Sequence, residues 1–521
     1  LAIDAKGKAF VLGTDWYIRL YEKDGSLRWK RPVSVAWAVN ISADDRWVVA
    51  ALGDGTIRWY EKDTGAERLA FYLHPDEKRW VTWTPEGFYA AAEGAEELIG
   101  YHLNQGADKE AQFIGIDQIG TVFNRADLVS KALDHEYWLL AEAALKEAGD
   151  IREILKAGLP PEMEIVGGLQ QKISQREFEL NLTLSDQGGG IGRVEYRING
   201  EVVSSGLARP YAPRAAAGQK GYKRAFTLPN GENTVEAIAY SENNQVAAKP
   251  VKVSVMVDDP VQREPSLHVL SIGVSEYRDR TFDLKYAADD AVDFAATLKK
   301  QGRKMYKKVE TEVLVDNEVS LERIKTAFEE MAEKVQPQDV FVLYLAGHGL
   351  VVDGRYHFVP HNVIYENDDA IRAKALGEEK LREWLALIEV GKRMMVIDSC
   401  HAGKMVETLA SLASPRGVDD KFAIARLMKA TGSSVLAAAS SKQQAMEGVI
   451  ENGQGRGLFT HVLLKGLAGD ADIIKGDGYI NIGELQAFAR EEVPRLSLEK
   501  WQYEQFPMFH LNGQDFPITQ V

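Results

Sequence analysis

The pattern of hydrophobic and polar positions divides the chain into four segments. Up to about residue 105, short apolar runs alternate with polar turns, whereas residues 106–162 are dense in Ala, Leu, Glu and Lys, as helices are. From 163 to 257, apolar residues recur at every second position, which is typical of strands buried on one face. Beyond 258, strand-like runs alternate with helical ones, and this order predicts an α/β domain with a mainly parallel sheet flanked by helices.

The first segment contains an internal repeat. Residues 16–24 match residues 55–63, which lie 39 positions later, and a weaker third copy follows around residues 94–101. A period of about 40 residues with short strands is typical of propeller blades, and the segment resembles WD40-type repeats. Because three blades are too few to close a ring, we expect residues 1–105 to be an incomplete propeller with further blades upstream.

Two segments separate the repeats from the C-terminal half. Residues 106–162 predict a helical connector that ends at a Gly-Leu-Pro-Pro stop. The period-two pattern of residues 163–257, with an Asn199-Gly200 hairpin signal, predicts a β-sandwich. This segment resembles an immunoglobulin-like domain without the disulfide, and it ends at the polar linker 258–260.

The C-terminal segment, residues 258–521, shows the clearest alternation of strand and helix patterns. Its predicted strands are Leu267–Val274, Glu312–Val315, Val340–Ala346, Arg393–Asp398 and Val435–Ala439. Its predicted helices lie near residues 289–300, 320–334, 378–389 and 458–468. An extended piece at residues 507–511 is expected to close the sheet.

Composition and charge exclude several classes of protein. The chain is 45% hydrophobic and 27% charged, and no apolar run approaches the roughly 18 residues of a membrane helix. The formal net charge of -15 argues against sequence-independent binding of nucleic acid, because such binding needs Lys and Arg against the phosphates. A protein partner fits this charge better.

Cys400 is the single cysteine of the chain, which excludes an intramolecular disulfide and a multi-cysteine zinc site. A free cysteine is most often a small buried apolar residue, so a nucleophilic role needs the support of its neighbours. The lack of disulfides favours a reducing, cytoplasmic setting. The chain starts at Leu1 without Met and without a signal segment, so we expect these residues to be part of a longer product.

Two apolar strands each end in a reactive side chain. His348 follows the run that ends at Ala346, and Cys400 follows the run that ends at Asp398. Because ligands bind at the carboxyl ends of parallel strands, we expect both residues to lie at one crevice. A thiol near pKa 8.5 is mostly protonated at neutral pH, and an adjacent imidazole can hold it as thiolate. The amides of Gly349 and Cys400 would then stabilise an oxyanion.

These two motifs together resemble the caspase-like cysteine peptidases, and the bacterial metacaspase-like (orthocaspase) branch in particular. The resemblance spans about residues 266–512. It implies a cysteine endopeptidase in which His348 is the general base and Cys400 the nucleophile. Further matching segments are Ser271–Tyr277, Leu284–Ala291, Ala437–Ser441, Gln444–Glu447 and Gly457–Thr460.

The resemblance also implies a substrate preference. Family members with an acid two residues before the cysteine, and another at the start of the first helix, cleave after Arg or Lys. Asp398 matches the first acid and Asp290 the second, with Asp289 as the alternative. Two convergent carboxylates bind a guanidinium strongly and directionally. Cleavage after Asp is disfavoured, because caspases proper need basic residues in that pocket and no matching arginine signature is present.

Regulation is predicted from loops and acidic segments. An enzyme directed to Arg and Lys could cleave itself, and the predicted self-cleavage positions are Arg416, Lys421, Arg426 and Arg456. The chemistry needs no cofactor, and no metal ligands are assigned. Calcium as an activator stays open, since the acids at 368–369 match the calcium-dependent members only loosely and the loop at 477–484 lacks the expected EF-hand ligands.

The front modules resemble protein-binding platforms, so we expect protein substrates and a regulatory protein partner bound through the N-terminal modules. The bacterial resemblance implies a role in stress, cell death or defence. Two other functions stay open at this point. The chain could be a non-catalytic scaffold that uses the propeller and the immunoglobulin-like domain, or a cysteine hydrolase that acts on a non-peptide acyl bond. A peptide-shaped crevice bordered by Asp398 would favour the peptidase.

Overall fold

The computed structural model describes most of residues 1–521. The residues outside the description are 93, 105–106, 108–109, 136, 157, 168–171, 204–208, 211–218, 365, 402–418, 439–446, 452–453, 473–475 and 514. At a few further positions, including 400–401 and 419–422, it describes the backbone alone. The described chain divides into two compact units, one of residues 1–160, 187–190 and 241–247, and one of residues 161–186, 191–240 and 248–521.

The first unit begins with two antiparallel sheets. A four-stranded sheet is followed by a six-stranded one, and each connects its strands in chain order. The strands are β1 (Ala2–Ile3), β2 (Ala9–Gly13), β3 (Tyr17–Glu22), β4 (Leu27–Pro32), β5 (Ala36–Ile41), β6 (Trp47–Leu52), β7 (Thr56–Glu61), β8 (Glu67–Leu73), β9 (Trp80–Trp83) and β10 (Tyr89–Ala91). The sheets share a core that includes Val11, Leu20, Val48 and Tyr60.

The sequence repeat corresponds to equivalent hairpins. Its first copy covers β3 and its second covers β7, and each strand pairs antiparallel with the strand that follows it. The third copy falls near β11 (Gly100–Leu103), which pairs with β12 (Gln112–Gly115) in a two-stranded sheet. The repeat is thus a repeated hairpin, and the incomplete propeller stays a prediction.

The connector is helical after this hairpin, as its composition predicts. Its helices are α1 (Gly120–Phe123), α2 (Ala126–Val129), α3 (Tyr137–Ala148) and α4 (Ile151–Lys156). The predicted Gly-Leu-Pro-Pro stop ends the helical connector. Its two prolines lie at the start of strand β13 (Leu159–Ile165) and not in a loop. Proline is tolerated at the start of a strand, where its missing N–H costs no ladder bond.

Two sheets that share one core follow the connector. Their strand orders are β13-β15-β19-β18 and β14-β21-β20-β16-β17. The alternating residues Phe178, Leu180, Leu182 and Leu184 are buried in this core, as the period-two pattern predicts. The remaining strands are β14 (Lys172–Ile173), β15 (Glu177–Gln187), β16 (Val194–Ile198), β17 (Glu201–Val203), β18 (Arg209–Pro210), β19 (Gln219–Thr227), β20 (Gly231–Ala239) and β21 (Val251–Val257). The immunoglobulin-like assignment of this β-sandwich stays a prediction.

The C-terminal part is an α/β fold around a mixed, mostly parallel sheet, as predicted. The main strand order is β23-β22-β24-β27-β28-β32, and every neighbouring pair is parallel except β28 with β32. These strands are β22 (Leu267–Gly273), β23 (Val309–Val315), β24 (Val340–Val352), β27 (Arg393–His401), β28 (Ser434–Ala437) and β32 (Met508–His510). The predicted piece at 507–511 thus closes the sheet, and it does so in the antiparallel direction.

Helices and short strands surround this sheet. The predicted helices are confirmed as α5 (Ala287–Gly302), α6 (Leu321–Lys334), α8 (Glu378–Leu387) and α10 (Leu458–Lys465). The described residues also form the helices α7 (Asp368–Lys374), α9 (Asp419–Thr431) and α11 (Ile482–Trp501). The additional strands are β25 (Arg355–Phe358), β26 (Leu376–Gly377), β29 (Glu447–Glu451), β30 (Gln454–Gly457), β31 (Tyr479–Asn481) and β33 (Pro517–Gln520). The sheet separates two apolar cores. Strand β24 contributes to both, because Leu343 lies in one core and Tyr344 in the other.

The β-sandwich and the α/β sheet meet at a buried ion pair. Arg393, the first residue of β27, is 0% exposed, and its guanidinium lies 3.1 Å from the Glu201 carboxylate at the start of β17. Arg393 Nη2 also donates to the carbonyl oxygens of Leu385 (2.9 Å) and Ile388 (2.8 Å). Burial raises the pKa of Glu201 and lowers the pKa of Arg393, while the opposite charge of each partner opposes both shifts.

The hairpin turn of the sandwich fits closely against the same region. Gly432 has a φ of +67°, and a Cβ there would lie 2.2 Å from the carbonyl oxygen of Gly200. Both features require glycine, because an L side chain is strained at that φ and backbone atoms cannot move aside. The Asn199-Gly200 turn that the sequence predicts is therefore also the point where the sandwich approaches the α/β part.

We expect Glu201→Gln to destabilise the second unit by about 3 kcal/mol, because removal of one partner leaves the Arg393 charge buried and unpaired. Glu499→Gln is the matched control, since Glu499 pairs with Arg495 at 3.1 Å on the surface, where an ion pair contributes little. Urea unfolding followed by circular dichroism and tryptophan fluorescence measures both variants. Equal midpoints for the two variants would show that the buried pair does not stabilise the unit.

Candidate active site

The backbone of two central strands brings the predicted catalytic residues together. β24 and β27 pair in parallel from Phe341↔Arg393 to Gly349↔His401, and His348 is the direct register partner of Cys400. Neighbouring strands lie about 4.8 Å apart, so the two backbones are adjacent at this point. The Cys400 side chain lies outside what the structure describes. The sequence predicts that both residues lie just past the ends of their strands. That prediction is wrong, because strand pairing continues through His348 and Cys400.

The His348 imidazole is buried with a defined orientation. Its Nε2 lies 2.7 Å from the carbonyl oxygen of Phe282. A carbonyl oxygen can only accept, so Nε2 carries the proton and Nδ1 holds the lone pair of the neutral ring. Among the described residues, Nδ1 has no hydrogen-bond partner although it is buried. The free lone pair of a buried imidazole is suited to accept a proton from a nucleophile.

Burial also sets the charge of this histidine. Desolvation lowers the pKa of His348, and the hydrogen bond to the Phe282 carbonyl opposes that shift. The charged form loses hydration in an apolar site, whereas the neutral ring does not. His348 is therefore the neutral, proton-accepting form at physiological pH.

The loop after β22 holds the histidine in place. Tyr277 Oη accepts a 2.8 Å hydrogen bond from the His348 backbone amide, and the two rings lie 4.9 Å apart. The preceding residue, Gly347, has a φ of +145°, and a Cβ there would lie 2.9 Å from Tyr277 Oη. Glycine at 347 thus serves two purposes, because it permits the backbone bend and leaves room for the tyrosine that fixes His348.

The predicted oxyanion amides lie on the same pair of strands. Gly349 pairs with His401 on one side and with Phe358 of β25 on the other. A Cβ at 349 would lie 2.6 Å from a ring carbon of Tyr356, whose hydroxyl donates to Ser399 Oγ at 3.1 Å. Glycine is needed at 349 because of this close ring. The oxyanion role of Gly349 and Cys400 stays a prediction.

The two predicted pocket acids converge. Asp290 lies in the first turn of α5 and Asp398 near the end of β27, and their side chains meet at Gly457. Asp290 Oδ2 accepts a 2.8 Å hydrogen bond from the Gly457 amide, and its Oδ1 is buried without a partner among the described residues. Asp290 is 3% exposed, whereas the alternative, Asp289, is exposed. The geometry therefore favours Asp290.

Burial makes these carboxylates weak acids. Desolvation, followed by the nearby Asp398 charge, raises the pKa of Asp290 to about 8. Desolvation also raises the pKa of Asp398 to about 6, against two hydrogen bonds from Thr460. No described Lys or Arg lies within ion-pair distance of either acid, although the nearby Arg456 charge opposes the rise in the Asp290 pKa. Such a pair would gain from a bound cation, because the cation would restore the interaction lost with water.

Sequence reasoning assigned no role to several residues that shape this site. Phe282 contributes only a carbonyl, which any residue could supply, so its identity carries no signal. Tyr277 and Thr460 lie in segments that match the family, and this was the one available signal for them. Thr460 donates from its amide (3.2 Å) and its hydroxyl (2.5 Å) to Asp398 Oδ2.

The predicted self-cleavage positions lie in different settings. Arg416 is outside the described residues, and Lys421 lies in helix α9, where only its backbone is described. Arg426, on the same helix, pairs with Glu378 at 3.1 Å. Arg456, on β30, pairs with Asp293 at 2.8 Å and directly precedes Gly457. Proteases need an extended segment, so the helical positions would have to unfold before cleavage.

The structure also bears on ions and membranes. Asp368 and Asp369 form the first turn of α7, where Asp369 pairs with Arg372. Within the described ranges, no group of three or more His, Cys, Asp or Glu side chains is arranged to hold a metal ion. None of the described helices has the length and apolar character needed to cross a membrane.

About half of the chain matches a known family model. Residues 267–515 match a family model described as a caspase domain, and this match supports a caspase-like cysteine peptidase. No curated protein matches the sequence.

Solved structures give weaker likenesses. A crystal structure of a protein from Geobacter sulfurreducens is 17% identical, with 48% of this chain and 94% of that chain covered and a TM-score of 0.32. The fibronectin(III)-like modules of Clostridium thermocellum CbhA are 19% identical, with 19% of this chain and 98% of that chain covered and a TM-score of 0.14. Scores this low support no inference about the present chain.

The single cysteine makes His348 directly testable. We expect His348→Ala to slow alkylation of Cys400 by iodoacetamide at pH 7 by roughly tenfold, because an unassisted thiol is mostly protonated there. Mass spectrometry of the intact chain measures the rate without interference from other thiols. His268→Ala is the control, since His268 is buried at the opposite end of the sheet, 3.1 Å from Asp339. Equal rates in the wild type and His348→Ala would contradict the assigned base.

Proposed function

We propose that this chain is a cysteine endopeptidase that cleaves proteins after Arg or Lys through a His348–Cys400 dyad. The observation that carries the specificity is the convergence of Asp290 and Asp398 beside Gly457, with one buried carboxylate oxygen left unpartnered among the described residues. The match of residues 267–515 to a caspase domain supports the reaction class.

The proposed reaction follows from the orientation of His348. The lone pair on Nδ1 accepts the proton of the Cys400 thiol, and the sulfur attacks the carbonyl carbon of the scissile peptide. Amides of Gly349 and Cys400 stabilise the oxyanion. The intermediate then collapses as His348 returns the proton to the leaving amine. Water, deprotonated by His348, attacks the thioester and releases the acid product and the free thiol.

The Nε2–Phe282 hydrogen bond has a defined part in this sequence. It fixes the tautomer, so that Nδ1 is the only ring nitrogen free to accept a proton. It also stabilises the imidazolium that forms after proton transfer, because Nε2–H becomes a stronger donor when the ring is charged. A backbone carbonyl thereby serves the purpose that a third side chain serves in other peptidases.

The pocket proposal rests on complementary charge. A guanidinium entering beside Gly457 would contact two carboxylates that have amide and hydroxyl donors but no cation partner among the described residues. Arg fits such a site better than Lys, since its planar donors can contact both acids at once. An acidic side chain would meet like charge there, so cleavage after Asp is disfavoured.

We propose that this activity is controlled in two ways. The N-terminal modules would bind a regulatory protein, and the setting would be a bacterial stress, cell-death or defence response. Self-cleavage at a basic residue would be a second switch. Arg456 fits this best among the described positions, because it lies on a β-strand in a hairpin, whereas Arg426 is helical. Calcium activation is tested in the peptide hydrolysis assays described next.

We expect the purified chain to hydrolyse fluorogenic peptides ending in Arg faster than those ending in Lys, and not those ending in Asp. Asp290→Asn should reduce kcat/KM for the Arg peptide by roughly 10- to 100-fold, because a hydrogen bond to a charged group contributes about 1.5–3 kcal/mol. Asp289→Asn, one position away and exposed, is the matched control. Assays are run with and without calcium.

Cys400→Ala must abolish all hydrolysis in these assays. Cleavage only after Asp would overturn the pocket assignment. If the wild type hydrolyses no peptide while Cys400 still reacts with iodoacetamide faster than in His348→Ala, the dyad stands and the peptide specificity is wrong. If neither reaction depends on His348, the scaffold is the better function.

The pocket also predicts a pH dependence. Both carboxylates bind a cation only when they are ionised. The pKa of Asp398 is about 6 and the pKa of Asp290 is about 8, so both acids lose their protons as the pH rises through this range. We expect KM for the Arg peptide to fall by about tenfold or more between pH 6 and pH 8.5. A norleucine peptide, which needs no ionised acid, should lack this change. If KM changes with pH in the same way for the two peptides, Asp290 and Asp398 are not the origin of the pH dependence.

A further inference from the structure

The amino end of helix α10 faces both pocket acids, and the proposed function names its donors without assigning them a part in specificity. Gly457 precedes the helix, and its amide donates a 2.8 Å hydrogen bond to Asp290 Oδ2. Thr460, in the first turn, donates its amide to Asp398 Oδ2 at 3.2 Å. Amides in the first turn of a helix lack acceptors within the helix. Here two of them are satisfied by the two carboxylates.

The Thr460 hydroxyl extends this network toward the sheet. Its Oγ1 lies 2.5 Å from Asp398 Oδ2 and 2.5 Å from Tyr344 Oη. An ionised carboxylate can only accept, so Thr460 donates to Asp398 and Tyr344 donates to Thr460. All three side chains are buried, and Tyr344 is held by stacking on Phe294 at 4.4 Å. The hydrogen bonds therefore run from the Tyr344 hydroxyl to the Thr460 hydroxyl, and from the Thr460 hydroxyl to the Asp398 carboxylate.

Gly457 determines the space between the acids. A Cβ at this position would lie 2.9 Å from Asp290 Oδ2 and 3.0 Å from Asp398 Oδ2. Any larger residue would occupy the volume that both carboxylates border. The absent side chain leaves that volume open for a cationic group brought by a substrate.

We propose that Thr460 and Tyr344 are positioning residues that orient Asp398 for a planar guanidinium, and that Gly457 keeps the space between the acids open. This inference rests on the proposed function, since it names the residues that set the specificity of the same pocket. Arg recognition needs two acceptors in a fixed geometry, whereas an ammonium is a point charge that tolerates their displacement. Loss of the Thr460 hydroxyl should thus weaken Arg recognition more than Lys recognition.

The test labels Cys400 instead of following turnover. Peptidyl chloromethyl ketones ending in Arg, Lys or norleucine alkylate the single cysteine, and intact-mass spectrometry gives each rate. Iodoacetamide, which needs no pocket, reports the reactivity of the thiol. We expect Thr460→Val to slow the Arg reagent by roughly 10- to 100-fold, the range for losing a hydrogen bond to a charged group. The Arg-to-Lys ratio should fall, and the iodoacetamide and norleucine rates should not change.

Two further variants separate positioning from packing. Thr460→Ser keeps the hydroxyl and should retain the Arg-to-Lys ratio of the wild type, whereas Tyr344→Phe removes only the distal donor and should lower that ratio by a few fold. Thr460→Val should also move the acid limb of Arg labelling to higher pH, because Asp398 loses a donor that favours its ionised form.

The outcomes distinguish this inference from the function on which it rests. If the wild-type chain shows no preference for Arg or Lys over norleucine, the pocket assignment fails and the inference fails with it. If the wild type prefers Arg and both Thr460→Val and Tyr344→Phe keep its ratio, the pocket stands and the positioning role is wrong. If Thr460→Val does not fold, Tyr344→Phe decides alone.

Discussion

The in-register pairing of β24 with β27 is the constraint on which the rest of the C-terminal part depends. Nine consecutive pairs run from Phe341↔Arg393 to Gly349↔His401. A slip of one residue would invert every side chain of one strand relative to the sheet and separate His348 from Cys400. Buried apolar residues on both sides of β24 oppose such a slip, because Leu343 and Tyr344 belong to different cores. The same packing that stabilises the sheet therefore sets the backbone positions of the proposed dyad.

Buried charge is present at both ends of β27, and the two ends resolve it differently. At the amino end, Arg393 lies 3.1 Å from Glu201 and donates to two carbonyl oxygens, so its charge has partners within the protein. Near the carboxyl end, Asp290 and Asp398 have only neutral donors among the described residues. The charge of Arg456 lowers the pKa of Asp290 only in part, so the two acids either hold a proton or bind a further cation. The first arrangement is suited to stability and the second to binding.

Local patterns in the sequence predict the main strands of the C-terminal sheet, four of its helices and the two motifs that carry His348 and Cys400, because each depends on adjacent residues. Long-range partners leave no such pattern. Nothing near Glu201 indicates that it pairs with Arg393, and the Thr460–Tyr344 bond joins residues 116 positions apart. The Phe282 carbonyl belongs to the backbone and has no sequence signal at all. Helix α11 is harder to recognise because Pro494 interrupts it, although its buried residues recur with helical spacing.

The positions of Asp398 and Cys400 on one strand give the proposed specificity a simple physical basis. They lie two residues apart, so a rigid strand separates pocket acid and nucleophile by about 7 Å. A long basic side chain can span that separation while its carbonyl stays at the nucleophile, and a short one cannot. Tyr344, which bonds to Thr460, and His348, the proposed base, lie four residues apart on strand β24. In the proposed function, the distance between the recognised charge and the reacting bond is thus determined by two paired strands.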